Sequence, residues 1–128
     1  MRGVIKALIV EDDIINQKLL QTFLKKNPHV EKIYEAYNGL EALEILEKNR
    51  DINIVFLDIK MPVMDGIEFL ENLKSRHDFD YIPVIVLTTD ETRKEEAITL
   101  GAFDFIVKPI HQDDINEKIA KALEVVSA

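Results

Sequence analysis

The chain has 128 residues, 47% of them apolar, and its 16 basic and 24 acidic residues give a net charge of -8. This length fits one globular domain, and the apolar content argues against disorder. The absence of cysteine excludes disulfides, thiolate zinc sites and cysteine nucleophiles. An acidic surface repels nucleic-acid phosphates and anionic lipids, so neither is an expected partner. Because the sequence has neither an apolar run of membrane-helix length nor the apolar segment of a signal peptide, we expect a cytoplasmic protein.

The first strand and helix are predicted from an apolar run and a helical repeat. Residues Val4 to Val10 are apolar and mostly β-branched, which is typical of a buried strand. Asp13 is the expected N-cap of the next helix, and Asn27-Pro28 its expected end. The helix is predicted to bury one face, made up of Ile15, Leu19, Leu20, Phe23 and Leu24.

The middle of the chain repeats this order twice. Lys32 to Ala36 predicts a short edge strand, and Asn38 is the expected cap of a helix with an acid at Glu41. Ile52 to Leu57 predicts a buried strand that ends at Asp58. A loop leads from there into a third helix, whose apolar residues are Phe69, Leu70 and Leu73.

The last part of the chain adds two more strand–helix units. Val84 to Leu87 predicts a fourth strand, which ends at Thr88. A polar helix from Thr92 to Leu100 is predicted to end at Gly101, which suits a left-handed C-cap. Phe105 to Val107 predicts a fifth strand. The fifth helix is predicted to bury Ile115, Ile119 and Leu123, behind a cap from Asp113 or Asp114.

Five alternations of strand and helix predict an α/β fold with a parallel sheet, helices on both faces and right-handed crossovers. In such sheets the ligands bind beyond the carboxyl ends of the strands. The polar residues that follow the strands are therefore candidates for a shared site: Glu11, Asp12 and Asp13, then Asp58, then Thr88, then Lys108 and Pro109.

The charges at these strand ends favour a bound cation. Two carboxylates about 4 Å apart repel by about 4 kcal/mol at an effective dielectric constant of about 20. Lys108 supplies one positive charge, and a hard divalent ion such as Mg²⁺ suits a donor set of carboxylates alone. Taken singly, Glu11-Asp12-Asp13 is better interpreted as a helix cap with solvated charge and Thr88 as a turn residue, while Asp58 fits either interpretation equally. The hypothesis therefore depends on their common position. His29, His77 and His111 lack metal-ligand spacing and are interpreted as surface residues.

Five ordered segments carry a resemblance to a known family. They are Leu8-Ile9-Val10-Glu11-Asp12-Asp13, Phe56-Leu57-Asp58-Ile59-Lys60-Met61-Pro62, Met64-Asp65-Gly66, Pro83-Val84-Ile85-Val86-Leu87-Thr88 and Val107-Lys108-Pro109. Together they resemble the receiver domain of response regulators, the phosphoacceptor module of two-component signalling. The resemblance covers essentially the whole chain and implies a flavodoxin-like (βα)5 three-layer sandwich with strand order 2-1-3-4-5 and a single receiver domain over residues 1–128.

The resemblance also implies roles for individual residues. Asp58 is the implied phosphoacceptor. The implied Mg²⁺ (or Mn²⁺) ligands are Glu11, Asp12, Asp58 and the backbone carbonyl of Lys60, and Asp13 is better interpreted as a helix cap. Thr88 and Lys108 are the implied partners of the phosphoryl group.

Four further positions complete the implied site. Pro109 is expected to follow a cis peptide bond. Phe105 stands where the family often has tyrosine, so with Thr88 it is the implied switch residue, without a phenol hydroxyl. Lys60 and Asp90 lie two residues after Asp58 and Thr88, where the family tunes the lifetime of the acyl phosphate.

The implied function is that of a signalling phosphoacceptor in a phosphorelay, which takes part in its own phosphorylation and dephosphorylation and is not an enzyme acting on another substrate. The implied partners are a sensor histidine kinase or histidine phosphotransfer protein and a downstream effector that binds the face of the fourth helix, fifth strand and fifth helix. A phosphorylation-dependent dimer, and whether the domain stands alone or belongs to a longer protein, are left open.

Other functions remain as alternatives. A haloacid-dehalogenase-type phosphatase also uses an aspartyl nucleophile after a strand, but expects a second aspartate where this chain has Lys60. A Toprim-like nuclease needs two aspartates separated by one residue, and this chain has Lys60 in place of the second one. A flavin carrier needs a phosphate-binding loop after the first strand, where Glu11, Asp12 and Asp13 would repel phosphate. A receiver fold that acts as an interaction module without phosphorylation keeps the same sequence pattern.

Overall fold

The computed structural model describes residues 4–60, 64–89 and 91–126. Within those ranges, five strands alternate with five α-helices. The elements are β1 (Ile5–Val10), α1 (Ile14–Lys25), β2 (Val30–Ala36), α2 (Gly39–Lys48), β3 (Ile54–Asp58), α3 (Gly66–Arg76), β4 (Val84–Thr88), α4 (Lys94–Thr99), β5 (Asp104–Val107) and α5 (Gln112–Val126), with a 3₁₀ turn at Glu91–Arg93 before α4.

The strands form one parallel sheet in the order β2-β1-β3-β4-β5, which confirms the predicted fold. Val10 at the end of β1 is paired with Ala36 on one side and Leu57 on the other, and Thr88 at the end of β4 is paired with Val107. The carboxyl ends of all five strands therefore lie at one edge of the sheet.

Two apolar clusters hold the helices against the two faces of the sheet. Leu20 and Leu24 of α1 share one cluster with Ile115 and Ile119 of α5. The other, larger cluster joins α2, α3 and α4 to the opposite face. β1, β3 and β4 are buried along almost their whole length, which explains their continuous apolar sequence.

Side chains cap the helices where the sequence predicts it for α1 and α2. Asp13 accepts hydrogen bonds from the backbone N–H groups of Ile15 and Asn16, and Asn38 accepts one from Glu41. At α5 the prediction needs a correction, because Asp113 and Asp114 lie inside the first turn. Asp114 reaches back to accept a hydrogen bond from the N–H of His111 at 2.9 Å.

The predicted buried face of α1 is partly wrong. Leu20 and Leu24 are buried as expected, but Ile15 is 76% exposed and Leu19 47% exposed. Since successive residues in an α-helix are about 100° apart, Ile15 and Leu19 lie too far round the helix from the line that faces the sheet. Gln17 occupies that line instead.

The fourth helix is shorter than predicted and, as its polar sequence indicates, it buries little. Its first turn is the 3₁₀ turn, and only Ala97 of α4 is buried, while Ile98 is 43% exposed. It ends at Thr99, and Gly101, just beyond the C-cap residue Leu100, has a φ of 104°, which confirms the predicted left-handed position. None of the helices in the described ranges is long and apolar enough to cross a membrane.

Candidate functional site

Three carboxylates meet at the carboxyl edge of the sheet, where β1 and β3 end side by side. Glu11 and Asp12 follow β1, and Asp58 is the last residue of β3. Each of the three offers an oxygen within 4.8 Å of the others. We refer to Glu11, Asp12 and Asp58 as the acidic cluster.

The members of the acidic cluster differ in burial. Glu11 is 1% exposed and Asp58 6% exposed, whereas Asp12 is open to solvent. The exposed position of Asp12 leaves an approach to the cluster from outside. The acidic cluster therefore has one carboxylate that faces solvent and two that are buried.

Lys108 closes the cluster on its other side. β5 pairs with β4, and the N–H of Lys108 donates to the carbonyl of Thr88 at 2.8 Å. This places the Lys108 Nζ atom 3.2 Å from Asp58 Oδ1 and 3.5 Å from Glu11 Oε1. One cation thus bridges the two buried carboxylates.

The single ammonium does not balance the buried negative charge. Burial raises the pKa of Glu11 to about 7, and the nearby Asp58 adds to the effect, against the lowering influence of the Asp13 N–H and Lys108. Burial also raises the pKa of Asp58, with Asp12 adding repulsion. Although burial alone would lower it, the pKa of Lys108 is raised because Asp58 and Glu11 stabilise its charged form.

The chemistry of the acidic cluster fits a hard divalent cation. Its donor atoms are all carboxylate oxygens. Burial disfavours the ionised form of Glu11 and Asp58, and Asp12 faces solvent. Mg²⁺ is held by one or two carboxylates together with water, which this arrangement allows. Lys60, the fourth implied ligand, is exposed two residues after Asp58.

Gly66 allows the chain after β3 to fold tightly behind Asp58. Its N–H donates to the carbonyl of Ile59 at 2.7 Å. A Cβ atom at this position would lie 2.6 Å from the Asp58 carbonyl oxygen and 2.7 Å from the Ile59 Cα, both of them backbone atoms that cannot move aside. A glycine is therefore required for the loop that presents Asp58.

Thr88 and Phe105 lie on neighbouring strands near the acidic cluster. Thr88 ends β4 and is buried, and Phe105 is paired with Val86, two residues earlier on β4. Side chains two apart on a strand share a face, so Phe105 and Thr88 lie on the same side of the sheet. The Lys94 Nζ atom sits 4.4 Å from the centre of the Phe105 ring, a cation–π contact that ties α4 to β5.

The other predicted positions are placed as follows. The peptide bond between Lys108 and Pro109 is cis. The three histidines are exposed and lie on different segments, which confirms their interpretation as surface residues. Asp90, Met61 and Pro62 fall outside the described ranges.

Two features near the cluster were missed from the sequence. Ile14, at 60% exposure, extends the exposed apolar strip of Ile15 and Leu19 on α1, beside a groove of about 170 Å³ that runs from Glu11 and Lys108. Its apolar lining residues are Leu19, Leu20, Phe23, Pro109 and Ile110. The other feature is the buried side chain of Gln17, three residues before Leu20 on the line of α1 that faces the sheet. A polar residue gives no hydrophobic signal, so the sequence pattern did not mark it as buried.

The family model of the response regulator receiver domain matches residues 7–120 of this chain. The chain belongs to this family. The match includes the whole sheet except its first residues and every member of the acidic cluster.

Individual relatives agree with this assignment. A chemotaxis protein CheY homolog of Campylobacter jejuni is 29% identical over 120 residues, which cover 92% of both chains. The response regulator domain of Thermotoga maritima CheB superposes with a TM-score of 0.84 at 30% identity, covering 95% of this chain and 98% of that one. A protein-glutamate methylesterase/protein-glutamine glutaminase of Desulfotalea psychrophila is 38% identical over 92% of this chain, which spans only 33% of that protein's length.

Proposed function

We propose that this receiver domain accepts a phosphoryl group on Asp58 from a phosphohistidine donor, with Mg²⁺ bound by the acidic cluster and the carbonyl of Lys60. The observation that carries the proposal is the meeting of three carboxylates and the Lys108 ammonium at the carboxyl edge of the sheet. The domain is then a phosphoacceptor that takes part in its own phosphorylation and dephosphorylation, and its product is an acyl phosphate.

Asp58 is suited to act as the nucleophile. A carboxylate oxygen of Asp58 attacks phosphorus as the P–N bond to the donor imidazole breaks, and the imidazole leaves with the electron pair and takes up a proton. Lys108 lies close enough to Asp58 to pair with the incoming phosphoryl oxygens, and the Thr88 hydroxyl is the second proposed partner. Bound Mg²⁺ supplies positive charge for the transferring group.

The donor is a histidine kinase or phosphotransfer protein that docks on α1. The exposed strip of Ile14, Ile15 and Leu19 lies on the helix that follows Glu11 and Asp12, and Glu11 and Lys108 are among the residues that line the groove beside it. Exposed apolar patches of this kind mark interaction surfaces. An apolar helix seated there would bring its histidine to Asp58.

The output face is formed by α4, β5 and α5. When Thr88 turns toward the phosphoryl group, Phe105 gains room on the same side of the sheet and α4 shifts with it through Lys94. A downstream effector that binds this rearranged face stabilises the phosphorylated state in proportion to its differential affinity.

Intact mass spectrometry after incubation with acetyl phosphate and Mg²⁺ tests the proposal. The wild-type domain is expected to gain the mass of one phosphoryl group, and the gain is expected to vanish in EDTA. Asp58→Asn removes the nucleophilic oxygen at nearly constant shape, so this variant is expected to stay folded and unmodified.

Asp78→Asn is the matched control, because Asp78 is an exposed aspartate just beyond α3. It is expected to be phosphorylated like the wild type. Full modification of Asp58→Asn would overturn the assignment of the phosphoacceptor. A wild-type domain that stays unmodified would instead favour an interaction module without phosphorylation.

A further inference from the structure

The side chain of Gln17 is a buried polar group on α1 that the proposed chemistry does not use. It is 0% exposed, and its Nε2 atom lies 3.1 Å from the carbonyl oxygen of Ala36, 3.2 Å from that of Glu11 and 3.4 Å from that of Ile9. Its Oε1 atom accepts a hydrogen bond from Gln21 at 3.5 Å. A buried amide is costly unless its hydrogen bonds are made, and here they are made to backbone at the ends of β1 and β2.

These contacts fall where the ladder between β1 and β2 runs out. Val10 and Ala36 are the last pair in register, and the N–H of Glu11 still donates to the carbonyl of Ala36 at 3.0 Å. Beyond this point β2 turns into α2, which begins at Gly39. The amide of Gln17 donates to carbonyls of the last paired residues and to the carbonyl of Glu11, the first residue beyond β1.

The consequence for the acidic cluster follows from the peptide geometry. The carbonyl of Glu11 belongs to the rigid peptide unit that also contains the nitrogen and Cα of Asp12. The following peptide unit is held as well, because the N–H of Asp13 donates to Glu11 Oε2 at 3.1 Å. Gln17 and Glu11 together therefore fix both peptide units that flank the Cα of Asp12.

We propose that Gln17 is a positioning residue for the metal site, which holds the Glu11–Asp12 peptide so that the exposed carboxylate of Asp12 points at Asp58. This inference rests on the proposed function, since it concerns the same Mg²⁺ site. It adds a residue that contacts neither the metal nor the phosphoryl group. It also links α1, the proposed docking helix, to the backbone of the acidic cluster.

Gln17→Met tests this role, because methionine keeps the length of the side chain and removes both donors. Mg²⁺ affinity is measured by calorimetry on the folded domain without a phosphodonor. The dissociation constant is expected to rise about tenfold, the cost typical of losing a group that orients a metal ligand. The Mg²⁺ concentration for half-maximal phosphorylation by acetyl phosphate is expected to rise with it, while the rate at saturating Mg²⁺ recovers toward the wild-type value.

Asn27→Leu is the matched control for lost stability. Asn27 is a buried amide just beyond the other end of α1, where it donates to Asn116 and accepts from the N–H of His29. This variant is expected to lower the midpoint of unfolding in EDTA and to leave Mg²⁺ affinity unchanged. If Gln17→Met behaves in the same way, Gln17 is a purely structural residue and the inference is wrong.

A measurement on the wild-type domain covers the case in which Gln17→Met does not fold. The side-chain amide resonances of Gln17 are expected to shift with the same Mg²⁺ dependence as the backbone amides of residues 11–13. Resonances that stay fixed through the titration would overturn the role of Gln17 alone. A wild-type domain that binds no Mg²⁺ would overturn the proposed metal site itself.

Discussion

Asp12 is the one carboxylate of the acidic cluster that faces solvent, so its substitution disturbs the core least. Asp12→Ala is expected to weaken Mg²⁺ binding by more than about 100-fold, since losing a direct ligand costs more than losing an orienting group. The same change is expected to raise the melting temperature in EDTA, because it removes a negative charge beside Asp58. Calorimetry and thermal unfolding measure the two effects.

Asp13→Asn is the control for Asp12→Ala. It removes the same charge one residue later, and asparagine also caps helices well, so α1 keeps its N-cap. This variant is expected to bind Mg²⁺ nearly as the wild type does. Unchanged Mg²⁺ affinity in Asp12→Ala would count against the cluster as a metal site.

Lys60 and Asp90 are predicted to set the lifetime of the acyl phosphate. Lys60 is exposed two residues after Asp58, and Asp90 lies two residues after Thr88 in the sequence. Opposite charges at these positions are expected to hinder the attacking water, so changing both to serine is expected to speed dephosphorylation. The decay of the phosphorylated mass after removal of acetyl phosphate measures the rate. If the acyl phosphate of the double variant has the wild-type half-life, Lys60 and Asp90 do not control the attacking water.

Among the helices of the described ranges, α4 contributes the fewest buried side chains to the core. It contributes one fully buried side chain, Ala97, and it contacts β5 through the Lys94 side chain on the Phe105 ring. Elements with few buried contacts move at low cost. We expect beryllofluoride, a mimic of the phosphoryl group, to change the amide chemical shifts of residues 91–100 and Phe105 as well as those of the strand-end loops.

The same spectra of Asp58→Asn are the control for this switch. They are expected to stay unchanged by beryllofluoride, because the mimic needs the Asp58 oxygen. If wild-type changes are confined to the loops around Asp58 and spare α4, the helix is a passive surface element and the output face lies elsewhere.

The order of the elements could be predicted from the sequence because each central strand is a continuous apolar run that ends in a polar residue. The parallel register then brought Glu11, Asp58 and Lys108 together, as their positions after the strands imply. The face of α1 could not be predicted in this way. Ile15 and Leu19 have the spacing of a core stripe, and only contact with the sheet reveals that the buried line passes through Gln17.

Taken as a whole, the metal-free molecule is expected to lose stability as the pH rises from about 4.5 to about 7. The unfolded chain releases the Glu11 proton near the ordinary pKa of 4.5, whereas burial holds that proton on the folded protein up to about pH 7. Between these values the folded state binds more protons, so a rise in pH favours unfolding, by on the order of 3 kcal/mol. Glu11→Gln is expected to flatten this dependence.

Asp104 has the opposite effect on the pH dependence of stability, because its ionised form stabilises the folded state. Its pKa is lowered despite burial, because the Phe105 N–H and the ammonium groups of Lys118 and Lys121 stabilise its charge. That stabilisation is present above pH 3.8 and is lost as the pH falls through the lowered pKa. These two groups together favour a stability maximum on the acid side of neutrality.

Bound Mg²⁺ is expected to offset the loss of folding stability at high pH, because the metal binds ionised carboxylates and so favours the release of their protons. Urea unfolding at pH 5.5 and pH 8, each with EDTA and with Mg²⁺, measures this linkage. The stabilisation by Mg²⁺ is expected to be larger at pH 8. Equal stabilisation at both values would contradict the raised pKa of Glu11.

The contact between Lys94 and Phe105 also makes this chain suited to an optical readout. The sequence contains no tryptophan, so a single Phe105→Trp substitution would give the domain one indole, placed between β5 and the ammonium of α4. Indole emission depends on the charge and solvent beside the ring. In such a variant, motion of the side chain at position 105 would change the fluorescence. The domain would then report the activity of its phosphodonor in real time.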